Sequence, residues 1–145
     1  MAQPLTKKEI ENFVKKWYDK LDVHAPMVEI LPMLSEEGLY MVFPEAVLKG
    51  LASFESWYQS VIRIFFDEVH KVKKVSSKIQ KDKADLKIIV HWEASKWNPP
   101  ARFSDRIKLD AYQSWKIKRS PKTGKIVVTK YVVDKLVYTK DSAKL

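Results

Sequence analysis

No cysteine occurs among the 145 residues. That excludes disulfides, thiol nucleophiles and every cysteine-based metal site. The three histidines are scattered, without the close ligand spacing of a metal centre, so neither a metal nor a cofactor is expected. With only three glycines and seven prolines, there is little material for linkers or low-complexity tracts. The expectation is a single domain over residues 1–145. No apolar run approaches the ~20 residues that a membrane-spanning helix requires. The N-terminal stretch Met1 to Lys8 also lacks the apolar core of a secretory signal. A soluble, cytoplasmic chain with no membrane partner is the expected class. Arginine is scarce too: the 27 basic residues are 23 Lys and 4 Arg. Sequence-reading nucleic-acid proteins favour the planar arginine fork, and the lysines here are spread along the whole chain. No specific nucleic-acid partner is expected despite a net charge of +9.

What is present is a strong strand pattern. From Ile107 to Ile117 every odd position is Ile, Leu, Ala, Gln, Trp or Ile, with lysines, aspartate and serine between them. That period of two marks a strand buried on one face. Gln113 is the one polar residue on the apolar face. A buried amide needs partners, so it either braces a neighbouring strand or lines a pocket. Leu86, Ile88, Val90, Trp92 and Ala94 repeat the pattern opposite Lys87, His91 and Glu93. Val72 and Val75 are three apart, which predicts a bulge at Lys73-Lys74.

The N-terminal half reads as helices around a hairpin. Thr6 and Glu9 form a capping box, and Ile10, Phe13, Val14, Trp17, Tyr18 and Leu21 follow at helical spacing. Pro26 can open a short helix through Leu31, limited by Pro32. Gly38 to Phe43 reads as a strand that turns at Pro44-Glu45 into Ala46 to Lys49. Phe54, Trp57, Tyr58, Val61 and Phe65 predict a third helix. Strands then run from about Val69, with turns at Lys81-Asp82-Lys83, Trp97 to Pro100 and Pro121 to Gly124, ending in Lys125 to Tyr138. The order α-α-β-β-α-β-β-β-β predicts an α+β fold, a curved antiparallel sheet wrapped around N-terminal helices.

This order resembles the nuclear transport factor 2-like superfamily, also called SnoaL-like or cystatin-like cone proteins. The likeness rests on Phe13, Trp17, Tyr18 and Leu21 of the first helix and on the hairpin Gly38 to Gly50. Trp57, the segment Val90 to Ala94, Gln113-x-Trp115-x-Ile117 and Gly124 to Ile126 complete it. The resemblance implies a cone whose sheet wraps the first helix and leaves a cavity, and a homodimer formed through the outer sheet face. It also implies a small, largely apolar ligand and, where there is catalysis, a cofactor-free lyase or isomerase. The rival is a non-enzymatic interaction module with a closed cone. Whether the chain is an enzyme stays open at this point.

The family's enzymes differ in the polar groups they place in the cone. The carboxylates of a ketosteroid isomerase are missing here, because Phe43 precedes Pro44 and Gln113 stands at the second acidic place. Scytalone dehydratase is more similar, through Tyr18-Asp19, Tyr40, His70, His91 and Gln113. Tyr18, His70 and Asp134 are therefore the catalytic candidates. Tyr18 also reads as a core residue with a satisfied hydroxyl, His70 as a surface histidine, and Asp134 matters only if buried. Tyr40 and His91 fall on the outward phase of their strands, and His24 falls in a loop. Trp17, Tyr18, Phe43, Trp57, Trp92, Gln113 and Trp115 are the expected ligand-binding residues, an aromatic slot oriented by one amide.

Overall fold

The computed structural model describes residues 3–145. Helix α1 (Lys7–Asp22) starts where Thr6 Oγ1 accepts a hydrogen bond from Glu9 N at 3.2 Å. The Glu9 carboxylate is held in turn by Arg119 at 2.9 and 3.0 Å. The predicted stripe is buried: Ile10, Val14, Trp17 and Tyr18 all face the core. A four-residue helix α2 (Met27–Ile30) follows, and Pro32 sits inside a 3-10 turn (Leu31–Met33) rather than ending the helix outright. Strands β1 (Tyr40–Val42) and β2 (Val47–Lys49) form the expected hairpin. Gly50, at φ +86°, then admits the chain to helix α3 (Leu51–Ile64).

Four long strands follow: β3 (Phe65–Gln80), β4 (Lys83–Lys96), β5 (Asp105–Arg119) and β6 (Ile126–Tyr138). They complete a six-stranded curved sheet in the order β2-β1-β6-β5-β4-β3. The architecture is α+β, as the patterning implied. Every pairing is antiparallel except β1 with β6, which run parallel. Two three-residue strands carry too little pattern to announce a partner so distant in sequence.

The bulge predicted at Lys73 is present, between Val72 and Lys74. A second irregularity between Phe66 and Val69 includes Asp67 at φ +51°. It lets the strand begin at Phe65, so Phe65 belongs to β3 and not to the face of the third helix. On β4 and β5 the apolar phase faces α1: Leu86, Ile88, Val90, Leu109, Trp115 and Ile117 are all buried. Burying side chains of this size yields ~1.5–3 kcal/mol each, the main force holding the sheet on the helix.

Candidate functional site

Between α1, α3 and the inner face of the sheet lies a cavity of about 530 Å³. Most of its wall is apolar, including Phe43, Val61, Leu109 and Leu136. Phe43 and Trp57 stack with centroids 4.0 Å apart and make one flat plate of that wall. Four polar side chains on this surface concern the chemistry: Tyr18, His70, Glu68 and Gln113.

Gln113 is placed by strand phase and fixed by two donors. Its Oε1 accepts from Tyr18 Oη at 3.0 Å and from Trp115 Nε1 at 3.0 Å. An indole nitrogen only donates, so the atom facing it must be the amide oxygen. Both of these bonds fall on the carbonyl oxygen, which is the braced end. Among the described residues the amide nitrogen acts only on the Tyr131 phenol, which it pulls down against the larger effect of burial, and it is the available donor. Tyr131 Oη lies 3.3 Å from Tyr18 Oη. Because Tyr18 gives its proton to Gln113, Tyr131 must donate to Tyr18.

Burial pushes the Tyr18 phenol well above its ordinary range, helped by the neighbouring Tyr131. Burial likewise pushes Tyr131 up to about 12, against the opposing influence of Tyr18, Trp17 and Gln113. Both phenols therefore stay protonated at neutral pH, and the chain Tyr131 to Tyr18 to Gln113 keeps one direction.

His70 is the second arm. Its Nδ1 lies 2.6 Å from Asp22 Oδ1, and its side chain is only 9% exposed. The ring stacks on Tyr18 at 4.8 Å and lies near-parallel to Trp92 at 6.2 Å. A carboxylate on Nδ1 fixes the tautomer with its proton there, which leaves the Nε2 lone pair as an acceptor. Beside it, the Glu68 side chain is only 5% exposed. One of its oxygens accepts from Trp92 Nε1 at 3.1 Å and the other pairs with His24. Burial raises Tyr58 to about 12, aided by the charges of Glu68 and Glu29. Its hydroxyl donates to Ala25 O at 2.7 Å.

The sequence-derived candidates divide. Tyr18, Phe43, Trp57, His70, Trp92 and Gln113 line the cavity together. Trp17 and Trp115 do not: they pack behind the wall, edge to face at 6.2 Å, as buried core. Asp134 is not the buried group that its candidacy required. It is the unpaired residue of a β6 bulge, exposed on the outer face, and accepts from Ser114 Oγ at 2.6 Å. Asp19, paired in the sequence reading with Tyr18, points away: its side chain is 58% exposed and bound to Lys15. A helical turn carries Asp22, not Asp19, to the same side as Tyr18. Tyr40 and His91 lie on the outer face, as their phase indicated, with Lys130 over the Tyr40 ring at 5.8 Å.

Asp22 and Glu68 are not among the candidates that the sequence offered. Asp22 is four residues beyond Tyr18, and Glu68 two before His70 on one strand face, so each periodicity held the signal. Among the described residues no group of three side chains has the arrangement of a metal site.

A curved sheet around one helix, with polar groups converging in an apolar cavity, defines a class of cone-shaped proteins. The chain has the nuclear transport factor 2-like fold, also described as cystatin-like. No family model matches the sequence, and no curated protein matches it. Solved structures do. A nuclear transport factor 2-like superfamily protein from Salmonella enterica superposes with a TM-score of 0.72 at 13% identity, covering 95% of this chain and 92% of its own. A hexachlorocyclohexane dehydrochlorinase superposes at 0.75 with 10% identity, over 96% and 92%. A ketosteroid isomerase-like protein from Erwinia carotovora superposes at 0.67 with 16% identity, over 86% and 92%. Likeness at these identities concerns the fold.

Proposed function

We propose that the cavity binds a small, largely apolar molecule and that His70, oriented by Asp22, removes a proton from it in a cofactor-free elimination or isomerisation. The observation that carries this reading is the Asp22–His70 pair at 2.6 Å, on the wall of a cavity that also presents the Gln113 amide. The imidazole supplies the base. The NH2 of Gln113 supplies a donor toward an oxygen or halogen where negative charge develops. The aromatic plate of Phe43 and Trp57 suits a ring. Two neighbours in fold bear the names of a dehydrochlorinase and a ketosteroid isomerase-like protein, in keeping with chemistry of this kind. A closed interaction module would need a filled cone and a fully bonded Gln113. The open cavity and available NH2 favour the first reading.

The test is a thermal-shift screen of cyclic ketones, alcohols and halides, followed by proton NMR of the hits in deuterated buffer. A ligand at ~100 times its dissociation constant should stabilise the fold by ~2.7 kcal/mol. Deuterium exchange or product formation should fall ~10²–10⁴-fold in Asp22→Asn and His70→Gln. In Gln113→Ala, both binding and turnover should weaken. Ligands that bind without exchange would leave a binding protein. Turnover that survives His70→Gln would remove His70 from the mechanism.

A further inference from the structure

Lysines scattered through the sequence are gathered by the sheet. Lys78, Lys83, Lys87, Lys116, Lys118 and Lys130 all occupy the outward phase of their strands, at the end of the sheet near the β3–β4 turn. Register sets Lys83 opposite Lys118 and Lys116 opposite Lys130. Adjacent strands are about 4.8 Å apart, and same-face positions along a strand about 6.8 Å apart, so these ammonium groups form a close lattice. Asp85 stands among them and is already bound to Lys116 at 3.3 Å. Asp134, at the margin, takes its hydrogen bond from Ser114. The other end of the same face also carries Lys71, Lys74, Lys108 and Lys135, but acids are interspersed there: Lys73 pairs with Asp110, and Arg106 and His91 both pair with Glu93. The outer face as a whole thus carries a surplus of lysine, part of the chain's net charge of +9, and near the β3–β4 turn Asp85 is the acid that these six strand lysines surround.

Charge complementarity and side-chain type narrow the occupant. A second copy in isologous contact would set lysines against lysines. Protein interfaces in general are poor in lysine and are anchored by free aromatic rings. Here the outer-face rings of Tyr112 and Tyr40 are already covered by Lys135 at 4.6 Å and Lys130 at 5.8 Å. The same covering leaves no platform for stacking unpaired bases. Ammonium groups act as point charges, without the bidentate fork that reads base edges. We propose that this end of the outer face binds the phosphate backbone of duplex nucleic acid without sequence preference. The surface lies across the sheet from the cavity and does not depend on what the cavity does.

The experiment is fluorescence anisotropy of the full chain with two unrelated labelled DNA duplexes of about 20 base pairs, from about 50 to 200 mM salt. Both duplexes should bind equally, and affinity should fall steeply with salt. The triple variant Lys78→Gln/Lys83→Gln/Lys118→Gln should lose roughly tenfold or more in affinity at low salt. It should also flatten the log–log salt slope by about 1 per lysine removed. Lys15→Gln/Lys16→Gln on α1 should bind like wild type. Thermal melting checks that each variant folds, and Lys78→Gln alone serves if the triple does not. The proposal is overturned by absent binding at low salt, by a marked preference between the duplexes, or by equal loss in the α1 variant. It is likewise overturned if the triple variant affects only binding to phosphatidylserine vesicles, or only self-association measured by sedimentation.

Discussion

Trp17 and Trp115 are both buried tryptophans in edge-to-face contact, yet their indole N–H groups have opposite fates. Trp115 Nε1 donates to Gln113 at 3.0 Å, whereas Trp17 Nε1 is buried without a partner. An unmade buried hydrogen bond costs ~1–3 kcal/mol, so replacing Trp17 by Phe relieves a penalty, while replacing Trp115 loses a made bond and leaves Gln113 Oε1 with Tyr18 as its donor. The volume lost is the same. Trp115→Phe should therefore destabilise the fold by about 1 kcal/mol more than Trp17→Phe in urea unfolding. Equal losses would mean that Trp17 finds a partner in solution. Gln113 was legible at this scale because a polar residue on an apolar strand face is conspicuous. Asp22 was not, because a hydrophobic stripe is recognised by its apolar members, and a carboxylate at the stripe's end resembles solvent-facing polarity. Only the arrival of β3 beside α1 gives it His70 as a partner.

Among the elements, length governed what could be read. Strands β4 and β5 alternate for a dozen residues and announce both their phase and the inward place of Gln113. The three-residue strand β1 announces nothing about β6, and Phe65 fits a helical stripe as well as a strand start. The cross-strand cluster on β4 and β5 offers a test of this scale. His91 Nδ1 lies 2.8 Å from Asp110, and Nε2 lies 2.9 Å from Glu93. A neutral imidazole has one N–H, so only the charged ring donates to both. The Glu93 hydrogen bond above all, with Asp110 adding to it, raises His91 above its ordinary value of 6.5, partly offset by burial. Glu93 is lowered chiefly by its hydrogen bond with His91, and Asp110 chiefly by its hydrogen bond with Lys73. A raised histidine stabilises below its unfolded value and loses that contribution as pH rises through the folded one. The lowered carboxylates lose theirs as pH falls through their folded values. The difference in melting temperature between wild type and His91→Gln should thus be largest between about pH 5 and 6.5, near 4 °C for ~1 kcal/mol. It should shrink by pH 8, and a difference that grows with pH would contradict the charged bridge.

For the molecule as a whole, charge placement decides a question that composition leaves open. Evenly scattered lysines repel weakly, whereas lysines gathered on one sheet face repel strongly. Two unit charges about 7 Å apart in water interact by ~0.6 kcal/mol. At 0.01 M ionic strength the screening length is about 30 Å, so these repulsions add across the whole cluster; at 1 M it is about 3 Å and they vanish. Salt also weakens the attractive pairs, but those on the surface, such as Lys122 with Glu36 and Lys116 with Asp85, are largely exposed. Exposed pairs contribute ~0–1 kcal/mol each, so their loss does not offset the relief of repulsion. Sodium chloride raised from about 0.01 to 0.3 M should therefore increase the melting temperature by a few degrees. Lys78→Gln/Lys83→Gln/Lys118→Gln should be more stable than wild type at low salt and respond less to added salt. A melting temperature that falls with salt would mean that the ion pairs dominate. Equal salt responses in wild type and triple variant would mean that the repulsion lies elsewhere than in the lysine cluster.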